Sequence, residues 1–166
     1  MSYLPKATFS AVIASTPLVS IDLVVQNPQG QVLLGRRLNR PAQGCWFVPG
    51  GRIVKDETMA SALQRLTRDE LGVALQLSEG KFLGTFEHFY HDNVFFDEGE
   101  SANQFSTHYV VLAYRYVLDL PLADLPAEQH GDYCWFDIDE ALACDDVHQH
   151  TQWYLHPSGE VANADM

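Results

Sequence analysis

The chain has 166 residues, of which 46% are hydrophobic and 19% are charged, and this length suits a single globular domain. Its net charge of −12 argues against a general nucleic-acid binder, because phosphate backbones attract a surplus of lysine and arginine. No apolar run is long enough for a membrane span, and the first residues lack the pattern of a secretion signal. We therefore expect one soluble cytoplasmic domain over residues 1–155, followed by a flexible tail at 156–166.

Hydrophobic patterning predicts strands in both halves of the chain and a helix between them. Taken in chain order, the expected elements are a helix within 5–15, strands at 18–26, 31–37 and 45–51, a helix at 57–71, strands at 81–90, 107–118 and 132–136, and a helix after residue 137. Strands from both halves around a central helix are typical of an α/β domain with a mixed sheet.

All seven histidines lie at or after residue 88. His148, His150 and His156 occur in a polar stretch near the C-terminus, where we expect them to be exposed and without a role. His88 and His130 lie in or beside predicted strands and are better candidates for a functional site.

The central helix carries a carboxylate on its apolar side. At about 100° per residue, Met59, Ala62, Leu63 and Leu66 form one stripe, and Glu70 projects into the middle of it. A buried carboxylate without a partner costs several kcal/mol. Glu70 must therefore reach solvent at the helix end, or meet either a buried arginine or a hard divalent metal ion.

The basic residues are also concentrated in this part of the chain. Seven of the ten lysines and arginines lie between residues 36 and 68, an arrangement that favours the binding of a small anion. Asp22 interrupts the apolar run LVSIDLVV and shares a strand face with Ser20, so one side of this strand is expected to face a polar pocket.

The glycine-led loop and the helix after it resemble the Nudix box, a loop–helix–loop that binds Mg²⁺ and a diphosphate. The match covers residues 51–73 and consists of Gly51, Glu57, Arg65, Glu70, Gly72 and Val73. The chain departs from the box at Leu66, Thr67 and Asp69. Leu66 replaces a glutamate that ordinary Nudix pyrophosphatases use as a metal ligand, which disfavours metal-assisted attack on phosphorus.

A similar departure occurs in one Nudix subgroup, the GDP-mannose mannosyl hydrolases. The chain resembles that family over about residues 1–150, including LLGRRLNRPAQGCWFVPGGR and EQHGDYCWF. The resemblance implies an α/β/α sandwich, a homodimer and one Mg²⁺, for which Mn²⁺ can substitute. It implies hydrolysis of GDP-mannose, with GDP-glucose as a second candidate, by water attack at the anomeric carbon. The products are then GDP and a sugar of inverted configuration.

The resemblance also implies roles for individual residues. The metal ligands are the Gly50 carbonyl, Glu70 and Gln129, and the general base is His130, expected on a mobile polar loop. The other residues of the reaction centre are Asp22, Arg37, Arg52, Arg65 and Tyr109. The positions that correspond to substrate contacts are Tyr3, Leu4, Phe9, Arg37, His88 and Tyr90.

Two alternatives remain open from the sequence. One is a nucleotide-sugar pyrophosphatase, which would cleave a P–O bond, and the other is a non-catalytic Nudix module that binds nucleotide sugars. The preference for guanine rests on the resemblance alone. The acidic loop at 92–103 looks longer than the family's usual loop, and its function does not follow from the sequence.

Overall fold

The computed structural model describes residues 4–97, 99, 104–128 and 130–156. This part of the chain contains four α-helices and seven β-strands. The helices are α1 (Lys6–Ser15), α2 (Met59–Leu71), α3 (Ile138–Ala143) and α4 (Gln149–Leu155). The strands are β1 (Leu18–Gln26), β2 (Val32–Arg37), β3 (Trp46–Phe47), β4 (Gly50–Arg52), β5 (Lys81–Tyr90), β6 (Thr107–Val117) and β7 (His130–Phe136).

The strands form one mixed sheet in which β1 is central. The main order is β3-β2-β1-β6-β5, while β4 pairs with β1 and β7 pairs with β2. β1 and β6 run parallel along their whole length, and the other pairs are antiparallel. β1 pairs with β4 at Ser20–Asp22 and with β2 at Gln26, so β2 and β4 lie beside different ends of β1.

Helices cover both faces of the sheet. Successive side chains of β1 point to opposite faces, so this strand contributes to the packing on both sides. Ile21, Leu23 and Val25 pack against apolar residues of α2, including Leu63. Val24, on the other face, packs in a cluster with residues of β2, β3 and the α3–α4 region. The fold is therefore an α/β/α sandwich, as the family resemblance implied.

Local chemistry accounts for the limits of α2. The Thr58 side chain accepts a hydrogen bond from the backbone N–H of Ser61 and caps the first turn. Gly72 ends the helix with φ of 74°, a left-handed conformation that favours glycine, and its N–H donates to the carbonyl of Arg68.

Most predicted elements are confirmed, with three corrections. The run at 45–51 is divided between β3 and β4 instead of forming one strand. Met59, expected on the buried stripe of α2, is 39% exposed and is the first residue of the helix. The polar stretch near the C-terminus contains α4, which the sequence did not predict, and His150 in it is buried.

None of the helices in the described ranges is long and apolar enough to cross a membrane. The tail predicted at 156–166 lies outside the described residues except for His156, which is exposed.

Candidate active site

A cavity of about 220 Å³ opens beside β1, where β4 and β2 lie against different ends of the strand. It brings together residues from both halves of the chain and from both faces of the sheet. Its lining includes Ser20, Asp22, Arg37, Phe47, Gly50, Gly51, Arg52, Arg65, Leu66, Asp69, Glu70, His88, Tyr90 and Tyr109. Nine of these residues are among those that the resemblance assigned to the metal, to the reaction or to substrate binding.

One wall of the cavity, which we call the charged wall, consists of the lining residues Gly50, Arg52, Arg65 and Glu70, together with Glu57, which does not line the cavity but holds Arg65. Arg65 donates two hydrogen bonds to the carboxylate of Glu57, with N···O distances of 2.6 and 2.8 Å. Its Nη2 also donates to the Arg52 carbonyl at 2.9 Å, so the box helix is tied to β4. The Arg65 guanidinium holds the pKa of Glu57 below its usual range. This bidentate pair fixes the arginine at the edge of the cavity.

The i, i+4 spacing of Arg65 and Asp69 on α2 favours an ion pair, and the contact is present but loose. The Nη1 of Arg65 lies 3.9 Å from Oδ2 of Asp69, and this aspartate is half exposed. Glu57, eight positions earlier in the sequence, is the principal partner of Arg65.

Glu70 is 2% exposed and lines the cavity. Its burial agrees with its position on the apolar stripe of α2. Gly50 lies on the neighbouring strand, and a side chain there would collide with the Ile21 carbonyl oxygen and with Asp22. A buried carboxylate beside a closely approached backbone is the kind of oxygen donor set that Mg²⁺ accepts. Within the described ranges no three His, Cys, Asp or Glu side chains group closely enough to hold a metal, and Gln129 lies outside those ranges.

His130 is not on an exposed loop, which corrects our expectation. It is the first residue of β7, is 2% exposed, and pairs in register with Arg37. Its Nε2 lies 3.6 Å from Oε2 of Glu70, and its Nδ1 has no hydrogen-bond partner among the described residues. The ring packs against the backbone of Gly35, where any Cβ would meet the imidazole at 2.5 Å. The imidazole therefore lies behind the Glu70 carboxylate and does not line the cavity.

The second wall, which we call the neutral wall, consists of the lining residues Asp22, His88 and Tyr90, together with Tyr154, which does not line the cavity but contacts Asp22 and His88. The Tyr154 hydroxyl donates to Oδ2 of Asp22 at 2.6 Å and lies 3.0 Å from Nε2 of His88. Burial raises the pKa of Asp22 to about 6, although the Tyr154 hydrogen bond and the Arg37 charge oppose this shift. Burial also lowers the pKa of His88 to about 2, so its imidazole is neutral at physiological pH.

His150 packs against His88 of this wall, which corrects a second expectation. It is 2% exposed and stacks on His88 with ring centroids 4.1 Å apart. Burial lowers its pKa to about 3, and burial likewise lowers the pKa of the adjacent His148 to about 4. Neither residue is an inert tail histidine, and both pack as neutral aromatic groups.

Arg37 and Tyr109 connect the cavity to a second one of about 170 Å³. The Nε of Arg37 donates to the Pro41 carbonyl at 2.9 Å. Phe9 of α1 lines the second cavity, and the Arg52 guanidinium lies 3.9 Å above its ring centroid. An elongated ligand can therefore extend from the two walls toward α1.

Leu4 and Tyr3 are the remaining predicted substrate contacts. Leu4, two residues before α1, is 50% exposed and lines neither cavity, while Tyr3 lies outside the described residues. Sequence reasoning missed Tyr154 and His150. The signal that could have indicated them is the helical spacing of Thr151 and Leu155, four residues apart and both buried.

Comparison with known proteins agrees with this geometry: the sandwich and the loop–helix beside a charged cavity define a hydrolase of the Nudix type. The sequence model of the NUDIX domain matches residues 16–156. The chain belongs to the Nudix family, as the motif predicted. Members of this family act on small nucleotide substrates, generally with a divalent metal ion such as Mg²⁺.

Individual relatives cover different parts of the chain. It is 44% identical over 116 residues to the low-salt glycan biosynthesis protein Agl8 of Haloferax volcanii, covering 70% of this chain and 69% of that protein. An ADP-ribose pyrophosphatase of Methanocaldococcus jannaschii is 33% identical over 57 residues, or 34% of this chain and 33% of that protein.

Solved structures support the fold. A MutT NUDIX hydrolase from Burkholderia pseudomallei superimposes with a TM-score of 0.63 at 24% identity, over 85% of this chain and 97% of the other. The NUDIX domain of Shewanella oneidensis NrtR, solved with ADP ribose, has a TM-score of 0.59 at 20% identity, over 91% and 95% of the two chains. At these identities the similarity establishes the architecture alone.

Proposed function

We propose that the protein hydrolyses GDP-mannose, with GDP-glucose as a second substrate, to GDP and the free sugar by cleaving the sugar C–O bond. The observation that carries this proposal is the pairing of two unlike walls in one cavity. The charged wall suits a metal-bound diphosphate, and the neutral wall presents a hydrogen-bonding carboxylate and aromatic rings, which suit an uncharged sugar.

Mg²⁺, or Mn²⁺ in its place, would be held by the Glu70 carboxylate, the Gly50 carbonyl and the Gln129 side chain. When bound, the ion neutralises negative charge on the diphosphate and makes it a better leaving group. Arg65, already oriented by Glu57, and Arg37 and Arg52 add fixed positive charge where the leaving group develops its own charge.

Leu66 supports attack on carbon in preference to phosphorus. Its Cδ2 lies so close to Gly51 that a Cβ there would meet it at 2.6 Å, so an apolar group fills the space beside the glycine loop. The box has a carboxylate at this position. Without that ligand, the charged wall lacks a donor for the additional metal ions that would activate water next to a phosphorus atom.

His130 is our proposed general base. Its imidazole has an Nδ1 without a hydrogen-bond partner among the described residues, and its Nε2 lies 3.6 Å from the Glu70 carboxylate, which lines the cavity. To reach the water it must move away from Gly35 as the segment before β7 rearranges around the substrate. Asp22, which already lines the cavity and whose pKa is raised to about 6, is the second candidate for the base.

The nucleoside is expected to lie toward α1. Phe9 and Tyr109 line the second cavity and offer aromatic surface to a base, while the sugar lies between Asp22, His88 and Tyr90. The relative Agl8 is named for glycan biosynthesis, a process that uses activated sugars, which agrees with this substrate class. The proposal also includes a cytoplasmic location and a homodimer. Light scattering of the purified protein measures the oligomeric state.

A panel of nucleotide sugars and dinucleotides tests the proposal. Each compound is incubated with the protein and Mg²⁺, and chromatography separates nucleoside diphosphate plus sugar from nucleoside monophosphate plus sugar phosphate. We expect GDP and mannose from GDP-mannose, with proton NMR showing the inverted anomer first. Nucleoside monophosphate and sugar phosphate would instead identify a pyrophosphatase, and binding without turnover would identify a non-catalytic module.

A further inference from the structure

Tyr154 occupies a position that the proposed reaction does not yet explain. Its hydroxyl lies between two buried groups of the neutral wall, 2.6 Å from Oδ2 of Asp22 and 3.0 Å from Nε2 of His88. An ionised carboxylate can only accept hydrogen bonds, so the hydroxyl hydrogen of Tyr154 is directed at Asp22. The oxygen of Tyr154 is then an acceptor, and Nε2 of His88 must carry the hydrogen that it receives.

The result is a hydrogen-bond chain with one direction, from His88 through Tyr154 to Asp22. Stacking of His150 on His88 at 4.1 Å fixes the first ring, and the edge-to-face contact of Phe86 with Tyr154 at 4.8 Å fixes the second. Among the described residues, each donor of this hydrogen-bond chain has one acceptor. The chain therefore allows a single orientation of the Asp22 carboxylate.

Helix α4 is firmly attached to the strands that form the cavity. The hydroxyl of Thr151 accepts a hydrogen bond from the backbone N–H of Val48, and Thr151 is completely buried. The backbone N–H of His148 donates to the Trp46 carbonyl at 3.1 Å. Tyr154 thus sits at a fixed distance from β3 and from the start of β4, where Gly50 pairs with Asp22.

We propose that Tyr154 is a positioning residue, which aims the Asp22 carboxylate so that its second oxygen accepts a hydrogen bond from a sugar hydroxyl in the cavity. This inference rests on the proposed function only for the identity of the ligand. Oδ2 of Asp22 is occupied by Tyr154, and Oδ1 lies beside the Gly50 backbone in a residue that lines the cavity. A helix that is remote in sequence from the Nudix box would then govern how the sugar is held.

A double-mutant cycle tests this role. Tyr154→Phe keeps the ring and its packing but removes the hydroxyl, and we expect kcat for GDP-mannose to fall about tenfold. Inhibition by GDP, which has no sugar, should stay within about twofold. In an Asp22→Asn background the same change should alter kcat by less than about twofold, because Tyr154 acts through Asp22. The control is Tyr116→Phe, whose hydroxyl donates to the Gln76 carbonyl away from the cavity and whose loss should leave kcat unchanged.

Histidine NMR provides a readout that does not depend on turnover. In protein labelled with ¹⁵N-histidine, the His88 ring, assigned by its loss in His88→Gln, should be the Nε2–H tautomer, and Tyr154→Phe should shift its Nε2–H proton upfield. An Nδ1–H tautomer, or a signal that Tyr154→Phe leaves unchanged, overturns the proposed chain. A tenfold loss that persists in the Asp22→Asn background also overturns the positioning role.

The two proposals fail in different ways. If the wild-type protein hydrolyses no nucleotide sugar but shows the expected tautomer and its dependence on Tyr154, the proposed function is wrong and the hydrogen-bond chain is supported. If the protein hydrolyses GDP-mannose and Tyr154→Phe changes kcat by less than about twofold, the function stands and the positioning role is wrong.

Discussion

The two walls of the cavity are built from different parts of the chain and by different physical means. The charged wall comes from one continuous segment, β4 and α2, in which Arg65 is held by Glu57 eight positions away. The neutral wall joins Asp22 to Tyr154, which are 132 positions apart. The first wall is organised by charge and the second by burial, which keeps its histidines neutral.

This difference agrees with separate roles for the two walls in the proposed reaction. A diphosphate and its metal need fixed charges that local ion pairs can orient, whereas an uncharged sugar needs hydrogen-bonding groups held in an apolar setting. Changes in the charged wall should therefore affect metal and phosphate, and changes in the neutral wall should affect the sugar.

The largest effect is expected at His130, the proposed base, which lies next to the charged wall. His130→Gln should lower kcat by about 10²–10⁴ with little change in KM, because it removes the proton acceptor and keeps a side chain of similar reach. Steady-state kinetics with GDP-mannose measures this. A loss of less than threefold would transfer the role to Asp22, and the matching loss would then appear in Asp22→Asn.

Glu70→Gln should lower kcat by about 10²–10³ at a fixed Mg²⁺ concentration, because it removes the only charged ligand of the proposed set. A titration of activity with Mg²⁺ should show a higher concentration for half-activation. Asp69→Asn is the matched control, since this neighbouring carboxylate is half exposed and its contact with Arg65 is loose. Equal metal dependence in the Glu70 variant and the wild type would remove Glu70 from the metal site.

Glu57→Gln should reduce kcat/KM about tenfold, because Arg65 loses the charged acceptor of its two short hydrogen bonds. Inhibition by GDP should weaken by the same factor, because GDP carries the same diphosphate as the substrate. Lys55→Gln, whose side chain is fully solvated, is the control and should leave both values unchanged. A variant that loses activity but binds GDP normally would contradict the assignment of Arg65 to the diphosphate.

Asp22→Asn should stabilise the protein at neutral pH by about 1–3 kcal/mol. The folded state raises the pKa of Asp22 from 3.8 to about 6, so the native protein binds more protons than the unfolded chain between these values. The wild-type protein therefore loses free energy of unfolding as Asp22 ionises. This destabilisation is absent below about pH 3.8, grows through about pH 6 and is constant above about pH 7. Denaturant unfolding in the presence of a chelator should show a gain that is large at pH 7.5 and small at pH 4. A gain that is larger at pH 4 would contradict it.

The charged wall could be predicted almost entirely from the sequence, whereas in the neutral wall the sequence pointed to Asp22, His88 and Tyr90 but not to Tyr154 or the buried His150. The positions of Gly51, Glu57, Arg65 and Glu70 follow from the spacing of one loop and one helix, because local geometry fixes them relative to one another. The burial of Glu70 also followed from helical periodicity.

The neutral wall depends on contacts between segments that no local pattern relates. His150 looks like a solvated residue in the polar stretch DDVHQHTQ, yet α4 turns it against His88. His130 looks like a loop residue before a strand, yet Gly35 provides space for its ring within the sheet. In both cases tertiary packing overrides a polar local sequence, and the sequence alone does not show which surface the helix or ring will meet.

Hydrolysis in ¹⁸O-labelled water tests the central claim most directly. GDP-mannose is hydrolysed in the presence of Mg²⁺, and mass spectrometry locates the heavy oxygen in the products. If water attacks the anomeric carbon, the label is found in mannose and the GDP is unlabelled. Label in a phosphate group would show that water attacks phosphorus, and it would contradict the assignment of the neutral wall to the reacting sugar.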